Sequence, residues 1–404
     1  RVVSWRTRPL WLWGERDVVH RRPHGVVAVI GTWNYPVFLN AVQIVQALTA
    51  GNGVVWKPSE VAPRTAEALH RLLLAAGYPP ELVERLPATR EAGPAVAEAD
   101  VDHVVFTGSA EVGRKLAARL GERLVGSTME LSGCDAMFVL PDADVRFAAR
   151  AAWFGAVLNR GQTCLAVRRV FVHRGRYAEF LDRLRPQVEK AEPVALVLDA
   201  QREQAERLVR DALASGARRL VEPPGVADGR FPPTALADAR PEMAVCREAS
   251  FAPLLAVMPF DNLEHALAMD ALCPFGLGAS VFTANAAQAE LLAARLRVGV
   301  VTVNDVIAPT GHPATPFGGR RDSGWGVTQG AEGLLAMTVP QSVSSRRDKF
   351  RPHYAAAAPD PDLAETGEGL LKWSHGKGVR QRLGGLLRLM RGGSKLRKKE
   401  RGGT

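Results

Sequence analysis

What constrains this chain most is the alternation of short β-branched runs with helical stretches through its first third. Val26-Val27-Ala28-Val29-Ile30 reads as a buried strand, followed by an apolar helix to about Ala50. Gly53-Val54-Val55-Trp56 reads as a second strand. Pro63 to Ala76 reads as an amphipathic helix stopped by Gly77 and the Pro79-Pro80 pair. Leu82 to Leu86 and His103 to Phe106 add strands, and Ala110 to Leu120 another helix. Strands separated by helix-length crossovers pair in parallel, so the spacing predicts a doubly wound α/β sheet with a nucleotide site at its strand carboxyl ends. The G-x-G-x-x-G fingerprint is absent, because Gly51-Asn52-Gly53 and Gly276-Leu277-Gly278 both lack the third glycine.

A second α/β region begins near Asp142. A helix from Val145 to Leu158 leads into a polar loop holding Cys164, then a strand Arg169 to Val172. Helices are expected around 176–190 and 200–215, a Pro/Gly-rich stretch at 223–233, and strands near Leu254–Val257, Ala279–Phe282 and Gly299–Val303. From Ser344 the composition shifts to a linker with Ala355–Ala358, Pro359 and Pro361, then a basic tail. With 404 residues, 47% of them hydrophobic, the chain can bury large cores without covalent staples. Cys134, Cys164, Cys246 and Cys273 are widely spaced, which argues against a disulfide scaffold or a metal site and for a reducing, cytoplasmic setting. No run is apolar enough to span a bilayer. The formal charge of +10 resides wholly in residues 371–404, which hold eleven Lys/Arg against Glu400. The remainder is neutral, with nothing that reads as a nucleic-acid surface.

Six spaced motifs carry the chemistry: Thr32-Trp33-Asn34-Tyr35-Pro36, Lys57-Pro58-Ser59-Glu60, Phe106-Thr107-Gly108-Ser109, Glu130-Leu131-Ser132-Gly133, Asn159-Arg160-Gly161-Gln162-Thr163-Cys164 and Pro316-Phe317-Gly318-Gly319. In this order they resemble the aldehyde dehydrogenase superfamily from about residue 20 to 340, with the Gly31–Pro36 wording most like its class 3-type branch. The resemblance implies a Rossmann-type NAD(P)-binding domain over 1–130 and a second α/β catalytic domain over 131–318. A return and oligomerisation segment over 319–345 and a linker with basic tail over 346–404 complete the expected chain. It also implies a helical segment preceding residue 1, a homodimer, and oxidation of an aldehyde to an acid through a cysteine thioester. Two alternatives remain beside it: transfer of the thioester to coenzyme A, and a silent relative acting as a binding protein.

Cys164 follows small polar residues where a packed cysteine would have apolar flanks, and the resemblance makes it the nucleophile. Asn34 is implied as oxyanion donor; it could also cap the helix after Pro36. Glu130 is implied as the base that activates water, for which burial would raise its pKa; a surface carboxylate is the plain reading. Lys57 and Glu60 are implied on the adenosine ribose, where a carboxylate favours NAD over NADP. Gly108 and Ser109 open a helix suited to a pyrophosphate, although Ser109 could simply cap it. Phe251 is implied to pack on the nicotinamide. Two departures within the motifs stand out. Ser132-Gly133-Cys134-Asp135 replaces the usual Gly-Gly-Lys-Ser, Ala249 sits where a ribose-binding glutamate is usual, and Glu248 falls one residue early. Leu383, Leu386, Leu387 and Met390 repeat at helical spacing among arginines, which suits weak contact with a membrane surface. Gly384-Gly385 and Gly392-Gly393 weaken that helix, so a solvated or partner-bound tail is the expectation.

Overall fold

The computed structural model describes residues 3–5, 12, 14–223, 229–347 and 360–402. Pro23–Val339 form one compact unit, and Arg1–Arg22 with Pro340–Thr404 form another.

Two twisted sheets build the larger unit. The first has six strands in the spatial order Gly324–Trp325, Gly126–Leu131, His103–Gly108, Val26–Ile30, Gly53–Lys57, Val83–Arg85. All pair in parallel except the short edge strand Gly324–Trp325. The winding reverses between Val26–Ile30 and His103–Gly108, which opens a crevice beyond their carboxyl ends. Val27, Ala28 and Val29 are fully buried because helices cover both faces, which is why this strand is continuously apolar rather than alternating. A methyl group on Gly113, in helix Ala110–Glu122, would lie 2.6 Å from Leu131 Cδ2; glycine lets that helix sit close on the sheet.

The second sheet has seven strands, ordered Arg218–Arg219, Thr234–Ala237, Leu254–Phe260, Val167–His173, Asp135–Val139, Gly278–Phe282, Val300–Val303. The interior strand Asp135–Val139 feeds two cores: Ala136 and Phe138 pack on one face, Met137 and Val139 on the other. The chain crosses from first sheet to second in the few residues between Leu131 and Asp135. Glu130 and Ser132 therefore stand at the seam.

Two local expectations shift. Pro79 and Pro80 preset φ for a 3₁₀ turn over Pro80–Leu82, so the strand is shortened to Val83–Arg85. The helix expected to reach Leu158 stops at Val157 and gives way to a non-helical turn through Asn159, Arg160 and Gly161.

The smaller unit contains a three-stranded sheet of Val3–Trp5, Glu15–Pro23 and Thr338–Arg346. Most of the expected linker, including Ala355–Ala358 and Pro359, lies outside the described residues. The basic tail is corrected: Pro361–His375 and Val379–Gly402 are helices packed as an antiparallel hairpin, and two of the glycines that were expected to weaken the second helix, Gly385 and Gly392, lie on its contact surface. No helix among the described residues is long and apolar enough to cross a membrane.

Candidate active site

A cavity of about 1170 Å³ opens at the carboxyl ends of the first sheet. Asn34, Lys57, Glu60, Gly108, Ser109, Glu130, Cys164 and Phe251 all line it, so the structure brings together every site residue expected from sequence.

Cys164 is placed by a strained loop. Asn159, Arg160 and Gly161 follow one another with φ of 52°, 59° and 71°, a left-handed run that costs the two non-glycine residues on the order of 1–3 kcal/mol each. Only glycine fits the third position, where a Cβ would lie 2.3 Å from the Ala252 carbonyl carbon. The strain is held by Arg168, 2% exposed, whose guanidinium donates to the carbonyls of Gly161 and Ala252. Cys164 itself is partly exposed. Burial pushes its thiol pKa far up, and the nearby charges of Glu130 and Asp135 push it further, against the backbone N–H groups of Leu165 and Cys164. In the protein alone the sulfur therefore rests as a thiol.

Glu130, on strand Gly126–Leu131, is 3% exposed. Burial raises its pKa to about 7, opposed by a hydrogen bond from Gln43. Gln43 Nε2 donates to Thr107 Oγ1 at 2.8 Å and reaches Glu130 Oε2 at 3.4 Å. Glu130 Oε1 is buried with no protein partner. The surface-carboxylate reading therefore falls away. From the other side, Gly324 pairs with Glu130, and a Cβ on Gly324 would lie 2.0 Å from the Met129 carbonyl oxygen.

Asn34 does not cap a helix. The helix after Pro36 runs Phe38–Thr49 without a side-chain cap, and Asn40 ties the preceding loop by donating to the carbonyls of Thr32 and Pro36. The Asn34 amide oxygen accepts from Thr32 Oγ1 at 2.9 Å, and its Nδ2 donates to the Gln162 carbonyl at 3.1 Å. Those bonds orient the amide and leave its second N–H without a partner among the described residues.

The far end of the cavity is more open. Lys57 Nζ sits 3.1 Å from Glu60 Oε2, and Arg90 Nε 3.2 Å from Glu60 Oε1. Partial burial opposes ionisation of Glu60, but its own backbone N–H and Lys57 outweigh it and hold the carboxyl below the usual range. Ser109 does cap helix Ala110–Glu122, accepting from Val112 N at 3.3 Å, and the helix start lines the cavity. Gly108 is needed there, since a Cβ would meet the Phe106 ring at 2.4 Å. Phe251 packs against Trp33 with ring centroids 6.1 Å apart. Glu248 also lines the cavity but is paired with Arg207, and Ala249 offers no carboxylate at its own position. Gln201 Oε1, on the same wall, is buried without a protein partner.

Sequence reasoning missed Gln43, Thr107, Arg168 and Gln201. Gln43 and Gln201 occupy ordinary helix positions, and Arg168 breaks an apolar strand; that buried charge was the one readable signal. Cys134, Cys246 and Cys273 are each 1% exposed, inside the cores.

A partly exposed cysteine, a buried carboxyl of raised pKa and a neutral amide beside one large cavity agree with the relationships of the chain. Residues 2–343 match the model of the aldehyde dehydrogenase family. A 4,4'-diapolycopene aldehyde oxidase of a Methylomonas species is 36% identical over 359 residues, covering 87% of this chain and 67% of that protein. A Mycolicibacterium smegmatis protein named for NADP(+) succinate-semialdehyde dehydrogenase is 34% identical over 347 residues, covering 82% and 67%. Among solved structures, a Mycobacterium tuberculosis aldehyde dehydrogenase complexed with NAD+ superposes with a TM-score of 0.79 at 32% identity, covering 84% of this chain and 72% of that one. The NAD+ complex of a Bacillus cereus aldehyde dehydrogenase gives 0.80 at 30%, covering 85% and 72%. The chain belongs to the aldehyde dehydrogenase family, and is an NAD(P)-dependent oxidoreductase acting on aldehydes.

Proposed function

We propose that Cys164 is the nucleophile, Asn34 the oxyanion donor and Glu130 the base for hydrolysis. Sulfur attacks the aldehyde carbon as its proton passes to ionised Glu130, which then releases it to solvent, and the carbonyl oxygen becomes an oxyanion held by the unpartnered Asn34 N–H and the Cys164 backbone N–H. The bound dinucleotide supplies the hydride acceptor. Loss of hydride leaves a thioester on Cys164; Glu130 then takes a proton from water, the hydroxide adds to the acyl carbon, and the C–S bond breaks to release the acid and the thiolate. The observation that carries this reading is Glu130, a buried carboxyl on the cavity wall with its pKa at about 7 and one oxygen free to reach a water. Transfer to coenzyme A needs no such base.

The residues at the open end fit a dinucleotide. Lys57 and Glu60 would hold the adenosine ribose, the helix start at Gly108 and Ser109 the pyrophosphate, and Phe251 the nicotinamide face. Gln201 offers a ribose hydroxyl the acceptor that Ala249 lacks. An ionised Glu60 repels a 2′-phosphate and favours NAD. In the same reading the first sheet is the cofactor domain over 1–130, 131–318 the catalytic domain and 319–345 the return segment, in a cytoplasmic homodimer.

The test is mass spectrometry of acid-quenched turnover with an aldehyde panel that includes succinate semialdehyde and a long apolar aldehyde. An acyl adduct is expected on Cys164 and to accumulate in Glu130→Gln; an adduct on another cysteine overturns the assignment.

A further inference from the structure

The C-terminal hairpin is held together by glycines. A Cβ on Gly385 would lie 2.3 Å from the Trp373 backbone nitrogen, one on Gly369 2.5 Å from that of Leu389, and one on Gly392 2.2 Å from Thr366 Oγ1. The helices pack backbone to backbone along that face, with Leu396 buried beside it. Seen along helix Val379–Gly402, the opposite face carries Val379, Leu383, Leu387 and Met390, which are 75%, 56%, 58% and 64% exposed. These residues recur every three to four positions and form one stripe.

The charges divide in the same way. Arg388, Lys395 and Lys399 are paired with Glu368, Glu365, Asp360 and Asp362 on the first helix. Among the described residues Arg380, Arg391 and Lys398 make no such pair, and at 100° per residue they border the apolar stripe. An apolar stripe with cations along one edge matches a surface that is anionic outside and oily beneath. A second copy of the helix would bring the same charges together, and a nucleic acid would leave four aliphatic side chains in water.

We propose that this hairpin docks in the plane of an anionic phospholipid bilayer, with Leu383, Leu387 and Met390 entering the acyl boundary and Arg380, Arg391 and Lys398 meeting the headgroups. The proposal is independent of the catalytic assignments.

The full chain is mixed with phosphatidylcholine vesicles with and without phosphatidylglycerol and sedimented. It is expected to pellet with the anionic vesicles only, and less at high salt. Leu383→Gln/Leu387→Gln/Met390→Gln is expected to lower partitioning at least about tenfold. Arg380→Gln/Arg391→Gln/Lys398→Gln is expected to lower it on the order of a hundredfold. Both variants should keep the wild-type melting temperature and the wild-type rate with a water-soluble aldehyde. Absence of pelleting, equal pelleting of wild type and the apolar variant, or equal pelleting on neutral vesicles overturns the proposal. So does an RNA or self-association signal that the apolar substitutions reduce while vesicle binding stays unchanged.

Discussion

The two ends of the cavity are built on different physical terms. At the reaction end Glu130, Gln43 and Arg168 are buried, burial shifts the protonation of Glu130 and Cys164, and the loop that carries the sulfur is held in a left-handed run. At the dinucleotide end Lys57, Glu60 and Arg90 form ion pairs; Lys57 is buried, but Glu60 is part-exposed and the Arg90 side chain is 78% exposed. Enclosed groups interact strongly and tolerate little change, whereas exposed pairs contribute at most about 1 kcal/mol. The chemistry is thus rigidly specified, while the choice between related cofactors is adjustable.

Substitutions at the enclosed end should be severe. Cys164→Ser is expected to lower kcat by about 10⁴-fold or more while calorimetric NAD affinity stays within about twofold; a parallel loss of affinity would merge the two ends. Glu130→Gln is expected to cost about 10²–10⁴ in steady-state rate and to keep a single-turnover burst of reduced cofactor. Glu130 works as a base only when ionised, so wild-type kcat should climb as pH rises through about 7 and fall below it. The variant should lose that limb, and a limb that survives assigns the base elsewhere. Asn34→Ala should lower kcat/KM by about 10²–10³-fold, with the thiol still alkylated by iodoacetamide; a change under tenfold removes the amide from the oxyanion site. At the open end, Glu60→Gln should raise the NADP-to-NAD ratio of kcat/KM by only about fivefold. A shift of a hundredfold would show that this end is as strictly specified as the other.

Much of this was legible because the signals are local. Continuous apolar runs such as Val26–Ile30 mark strands covered on both faces, and residues 130 and 164 are flagged by their immediate neighbours. Gln43 was not legible, because its meaning depends on Glu130, 87 positions away. Arg168 likewise acquires its role from Ala252, 84 positions on. The tail was misread for the converse reason. Gly384-Gly385 and Gly392-Gly393 lower intrinsic helix propensity, but Gly369, Gly385 and Gly392 are what allow two backbones to touch, and packing across the hairpin overrides the local preference. Arrangements made by distant partners have no local signature.

The edge strand Gly324–Trp325 has a temporal consequence. It bonds to the strand that bears Glu130, Ser323 clasps the backbone at Leu131 and Ser132, and Trp325 Nε1 donates to the Ser127 carbonyl. On the ribosome, residue 130 emerges nearly two hundred positions before these partners are synthesised. Until they dock, the strand under the carboxyl has an open side and the hydrolytic centre is unfinished. The nascent chain can therefore assemble the five parallel strands of the first sheet first, and the strand that bears Glu130 gains its edge neighbour only once residues 323–325 have been made.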